Sequence, residues 1–151
     1  MERDYIVNAA SVYSAAGTAV YMLQLVTPST TPIDIIDITV GCDTTSTDTL
    51  KVELCTWTGA GQGATAFTPI AWNGDASLVA ANTTASVGPF TSAPSSVTVV
   101  KTWLFPTPTS TFELELPLGR EYTVPKSTYC GLRFTTTSTF LHGYASVTFE
   151  E

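Results

Sequence analysis

One histidine, three cysteines and six basic residues in 151 positions leave little from which to build acid–base, nucleophilic or metal chemistry. Charged residues are 13% of the chain, about half the share usual in globular proteins. The net charge of −7 and the lack of any basic cluster argue against a nucleic-acid partner, which needs several cations on one face to neutralise phosphates. No apolar run approaches the roughly 18–20 residues that span a bilayer, so no membrane partner is expected. The start, Met1-Glu2-Arg3-Asp4, lacks the basic-then-apolar pattern of a secretory signal, and synthesis and folding in a cytoplasm is the expectation. Cys42, Cys55 and Cys130 are odd in number and match no CxxC spacing. Each stands in or beside an apolar run, as a small buried hydrophobe would; pairing of two of them stays open.

What the chain does have is threonine, 28 residues of it. A β-branched hydroxyl residue suits pleated sheet and supplies the wet face that charges do not. Leu50-Lys51-Val52-Glu53-Leu54 and Phe112-Glu113-Leu114-Glu115-Leu116 alternate strictly, which predicts strands with one face in the core and one in solvent. Val20–Val26 and Val97–Phe105 are apolar on both faces and read as strands covered from two sides. Ile33–Cys42, Cys130–Thr135 and Leu141–Phe149 are further strands, with weaker ones at Tyr5–Tyr13 and Thr65–Ile70. Turn chemistry at 27–32, 43–49, 59–63 and 106–108 separates them. Asp75–Ala81, with Asp75 as N-cap, is the one short helical stretch. The irregular span Ala71–Ser96, anchored by Trp72 and Phe90, is long enough to be functional or packed against a neighbour. The hydrophobic fraction of 44% is ample for a core. These features predict one domain over residues 1–151: an all-β antiparallel sandwich of jelly-roll type, about eight strands, at most one short helix.

Candidate chemistry is sparse. Glu113 and Glu115 point from one face of a strand roughly 7 Å apart, near a glycosidase spacing, but adjacent outward acids simply solvate a sheet. Asp43 and Asp48 bracket an oxygen-rich loop without the third acid and glycine of a calcium loop. His142 has no nucleophile elbow to serve. Trp57 and Trp72 stand where they could be exposed and stack on sugars, although core or subunit-contact roles are favoured for them, and Trp103 shares a face with Val97, Val99 and Phe105 and reads as core. The expectation is a protein with no catalytic residue, metal, cofactor or small-molecule substrate, working through its surface.

From Val12-Tyr13-Ser14-Ala15-Ala16-Gly17-Thr18-Ala19 onward, through Lys101-Thr102-Trp103-Leu104, the turn Leu116-Pro117-Leu118-Gly119-Arg120-Glu121, and Gly143-Tyr144 with Phe149-Glu150-Glu151, the chain resembles tailed-bacteriophage capsid decoration, or cement, proteins. The resemblance implies a jelly-roll subunit that forms homotrimers, binds the major capsid protein on the outside of the head and stabilises it. The implied location is the virion exterior after synthesis in the host cytoplasm. Residues Met1–Ile6 are the candidate docking arm, with Arg3, Asp4, Tyr5 and Ile6 as capsid-contact candidates, because such ends order on docking. The alternative is a glycan-binding β-sandwich module of a tail fibre or baseplate; head and tail locations are not separated by the sequence.

Overall fold

A strand that is apolar on alternate positions buries one face, and one that is apolar throughout must be covered on both. The chain contains both kinds, and they sort into two sheets. The computed structural model describes residues 3–14, 18–43, 49–72, 80–105, 111–117, 119–136 and 140–151, with the side chains of 10–14, 42, 43 and 140–142 outside that description. Its strands are β1 (Asp4–Ser14), β2 (Val20–Val26), β3 (Ile33–Asp43), β4 (Leu50–Trp57), β5 (Thr65–Phe67), β6 (Ile70–Ala71), β7 (Thr84–Val87), β8 (Thr98–Phe105), β9 (Thr111–Glu115), β10 (Tyr122–Val124), β11 (Tyr129–Thr135) and β12 (Phe140–Glu150).

The first sheet runs β6–β1–β12–β3, with β9 and β10 placed in succession along the other edge of β3. The second runs β5–β7–β2–β11–β4–β8. All pairs are antiparallel. The pairing is nested: β1 with β12, β2 with β11, β3 with β9 and β10, β4 with β8. That is the winding of a jelly roll of about eight strands. The twelve strands exceed the expected number for two reasons. The segment between β4 and β8, read from sequence as mostly loop, contributes β5, β6 and β7. The turn around Gly119, which has a φ of 78° that glycine adopts without strain, divides one frame strand into β9 and β10. The helix expected at Asp75–Ala81 lies almost wholly outside the described residues, as does the turn at 106–108.

Between the sheets, Tyr5, Val7, Ile35, Ile38, Val147 and Phe149 from the first meet Leu23, Leu25, Val52, Leu54, Leu132 and Phe134 from the second, all buried. Tyr5 stacks on Phe149 with ring centroids 5.7 Å apart. Burying each large side chain contributes about 1.5–3 kcal/mol. Phe105 at the end of β8 stacks on Phe112 of β9 at 4.1 Å, joining the two sheets at that edge.

The second sheet has another core on its outer face. Tyr21, Cys55 and Trp57 are buried there, with Phe90, Val97 and Tyr129 packed on them. The cover comes from the segment between β4 and β8, which is tied together by the bridges Gly59–Ser95 and Gln62–Ser92. Tyr21 meets Trp57 edge-on at 5.6 Å and Phe90 at 6.4 Å. The long irregular span is thus partly a lid on the molecule's own sheet.

This cover bears on several readings. Trp57, for which a core or subunit-contact role is favoured over exposure, is 2% exposed; its Nε1–H donates to Gln24 Oε1 at 2.9 Å, which also accepts the Gly61 amide at 3.0 Å. Glu53, expected on a wet face, is buried and held by Arg133, with Nε at 2.8 Å and a terminal nitrogen at 2.7 Å, and by Lys51 at 3.2 Å. Arg133 lies directly across the β4–β11 ladder from Glu53. Val97–Phe105, expected to be covered on both faces, forms an edge strand with Val99 and Leu104 in solvent. Trp103 does pack partly against the main core, although not with Val99: the register shift that pairs Leu54 with Lys101 but Cys55 with Val99 is a bulge, which reverses the alternation and turns Val100 inward instead. Cys55 and Cys130 are free and buried, and burial pushes their thiols up to about 11 and about 12; the side chain of Cys42 lies outside the described residues.

Two substitutions test the outer core. An added methyl at Gly131 would lie 2.0 Å from the Leu23 carbonyl oxygen and 2.7 Å from Trp57 Cη2, so Gly131→Ala is expected to cost about 1–3 kcal/mol by overpacking, read as a lowered urea midpoint. Arg133→Met leaves Glu53 buried with Lys51 alone and is expected to cost about 3 kcal/mol, most of which returns in the double variant Glu53→Leu/Arg133→Met. Equal urea midpoints for Arg133→Met and the wild type would show that the ion pair carries no stability.

Candidate functional site

With the second sheet covered, the outer face of the first sheet and the lateral edges hold the surface available to a partner. The N-terminal segment enters this surface as a strand and not as an arm. Asp4, Tyr5 and Ile6 pair with Glu150, Phe149 and Thr148 of β12, and Arg3 exchanges backbone hydrogen bonds with Glu151 at 3.3 and 3.0 Å. Tyr5, a capsid-contact candidate, is in the main core. The weaker strand read at Tyr5–Tyr13 is part of β1, which begins at Asp4, and alternation from Tyr5 through Ala9 buries Tyr5, Val7 and Ala9 in the main core. Met1 and Glu2 lie outside the described residues.

Alternation also places Asp4 and Ile6 on the outer face. On the other side of β1, Ile6 pairs with Ile70 and Tyr5 with Ala71, and the Trp72 amide donates to the Asp4 carbonyl at 2.9 Å. Ile70 is 51% exposed and Trp72 63% exposed. Ile6, Ile70 and Trp72 therefore form an apolar corner in solvent, flanked by the carboxylates of Asp4 and Glu150. Trp72 was a candidate for exposure from sequence; nothing local in the chain indicates that Ile70 returns beside Ile6.

Across the same face, Glu113 and Glu115 are exposed on β9 opposite Thr39 and Asp37. They sit on one edge and do not converge across a cleft. Among the described residues, no group of three or more His, Cys, Asp and Glu is arranged to hold a metal ion. Asp48 is outside the described residues, as are the side chains of Asp43 and His142, whose backbones pair with one another. In the middle of the face, Asn8, Thr39, Thr111, Tyr144 and Ser146 surround Gly41 in a shallow basin of about 200 Å³.

A larger cleft, about 390 Å³, opens at the lateral side where β8 faces the β9–β10 turn. Leu54, Val100, Trp103, Leu116 and Tyr122 form its apolar walls, and Lys101, Arg120 and Glu121 are its charged groups. Glu121 Oε1 accepts the Gly119 amide at 2.9 Å, which folds that carboxylate back on its own turn. Lys101 and Arg120 stand in the sequence only as landmarks of the resemblance, and no local signal brings Lys101 beside Arg120 and Tyr122.

No known protein family matches the chain, and no curated protein or solved structure matches it.

Asp37 is the strained acid of this surface. Its Oδ1 is shielded from water without a hydrogen-bond partner, while Thr39 donates to Oδ2 at 3.4 Å. Desolvation, and then the nearby Glu113 charge, raises its carboxyl above 3.8. The folded state thus holds that proton more tightly than the unfolded chain does. Stability is therefore unaffected by this group below about pH 3.8 and is lost as pH rises from there through the raised value. Asp37→Asn is expected to raise the melting temperature at pH 7 and leave it unchanged at pH 3; equal effects at both would assign the strain to packing instead.

Proposed function

We propose that this chain is a structural virion protein, a capsid decoration protein that binds the outside of a phage head as a homotrimer and stabilises it by adhesion. The observation that carries the reading is the solvent-facing corner of Ile6, Ile70 and Trp72 on a two-layer jelly roll. A tryptophan and two isoleucines standing beside one another in water form the centre of a contact that a partner would bury. Ile6 and Ile70 sit on paired strands and the Trp72 backbone is tied to Asp4 of β1, so little ordering cost accompanies docking. Three such contacts held in one trimer multiply through effective concentration, and a shell is clamped without any single strong bond. The resemblance to cement proteins agrees with this reading, as does an outer face on which Asp4, Asp34, Asp37, Glu113, Glu115 and Glu150 supply acids, a charge pattern that avoids packaged DNA.

A second reading rests on the basin around Gly41. Its floor is almost wholly apolar, and the half-exposed Tyr144 ring beside it offers a surface on which a sugar could stack, as in a glycan-binding module of a tail fibre or baseplate. Binding on a glycan array that disappears in Tyr144→Ala would favour it over head decoration.

Deleting residues 1–6 would remove Tyr5 from the core, so point variants are the sound test. Trp72→Ser and Ile70→Ser are expected to keep the melting temperature and weaken assembly by about 2 kcal/mol or more, as for a buried aromatic anchor. Solution mass and occupancy on expanded phage heads are the readouts. Loss of trimer mass places the corner between subunits, and loss of occupancy at unchanged mass places it against the shell. Variants unchanged in both overturn the reading.

A further inference from the structure

The edge formed by β8 is unlike the other edges of the sandwich. Among the described residues, β8 pairs only with β4 and ends its sheet. It is eight residues long, whereas the edge strands β5 and β6 have three and two. Short edge strands protect a sheet from adding a foreign strand, and a long one with free backbone groups invites it. β8 contains no proline.

The cleft lies directly beside this free edge. A strand hydrogen-bonded to β8 would continue the second sheet in front of the β9–β10 turn. Its alternate side chains would then enter the space lined by Leu54, Val100, Trp103, Leu116 and Tyr122. The rim charge is also specific. Of six basic residues, Lys51 and Arg133 are engaged by Glu53, while Lys101 and Arg120 both open onto this one cleft in a molecule of net charge −7. An antiparallel pair of β8 strands centred on Lys101 would set two Lys101 side chains opposite one another, which disfavours that register of self-pairing.

We propose that β8 and the adjoining cleft form a strand-acceptor site for an extended segment of another protein that carries apolar and acidic side chains on the same face. The backbone of β8 supplies the pairing, the cleft takes the apolar side chains, and Lys101 and Arg120 select acidic neighbours. This site is separate from the Ile6–Ile70–Trp72 corner and holds whether or not the protein decorates a phage head.

The test uses the full chain and two synthetic peptides the length of β8, each with threonine at every second position, the positions between carrying valine and glutamate in turn in one and valine and lysine in turn in the other. The glutamate peptide is expected to bind, to slow hydrogen exchange of β8 amides, and to bind about tenfold or more weakly to Lys101→Glu/Arg120→Glu. That double variant, altered only at exposed side chains, is expected to prefer the lysine peptide. Trp103→Ala, which empties one wall of the cleft, is the second variant and weakens the glutamate peptide without reversing its charge preference. Failure of the glutamate peptide to bind, equal affinity for both peptides, or protection confined to amides outside β8 each overturns the proposal. So does protection of β8 amides by self-association of the unliganded chain, since the edge would then belong to a second copy.

Discussion

A sheet that is apolar on both faces has to be covered twice, and this requirement organises the molecule. The β2–β11–β4 layer sends Leu23, Leu25, Val52, Leu54, Leu132 and Phe134 inward and Tyr21, Cys55 and Trp57 outward. The sandwich itself can cover only the inward set. The outer set is covered by the segment between β4 and β8, which folds back on its own sheet instead of extending away from it. Once that segment is committed as a cover, its polar backbone has to be satisfied at the buried surface, and Gln24 does this by bridging the Trp57 indole and the Gly61 amide. A glycine at 131 follows from the same packing, because the Trp57 ring and the Leu23 carbonyl leave no room for a methyl.

The consequence for function is asymmetry. Covering the second sheet on both faces leaves the first with an outer face in solvent, and the insertion that does the covering also delivers β6 to the far edge of the first sheet. Ile70 and Trp72 are therefore exposed by the same segment that buries Phe90. The two exposures differ in kind. The corner beside β1 is an apolar patch among acids, whereas the cleft beside β8 pairs apolar walls with two cations. A sandwich with chemically different surfaces on its two lateral sides is suited to holding two different neighbours.

The fold class and most strand positions were legible because they depend on local alternation: β2, β3, β4, β11 and β12 coincide closely with the apolar runs. Nested pairing was not legible in any one run, since β1 meets β12 at the opposite end of the chain and no local signal records that contact. Glu53 shows the limit of alternation. Its position between Val52 and Leu54 predicts solvent, and Arg133, eighty positions away, together with Lys51 makes burial tolerable. Trp103 shows a second limit, since one extra residue in β8 reverses which side chains face inward. Of the candidate site, Ile6 and Trp72 were within reach of the sequence. Their junction through Ile70 was not, and neither was the convergence of Lys101 with Arg120.

Charge placement connects these points. A chain with few cations can neither neutralise its own acids nor spread positive charge over its surface, so where each cation is used is informative. Lys51 and Arg133 are consumed in making one buried carboxylate tolerable beneath the covering segment. On the open face, burial and the nearby Glu113 charge raise the Asp37 carboxyl. Lys101 and Arg120 are spent on neither task. Because a solvated lysine and arginine add nothing to folding, their meeting at the rim of an apolar cleft has its explanation in what the cleft receives.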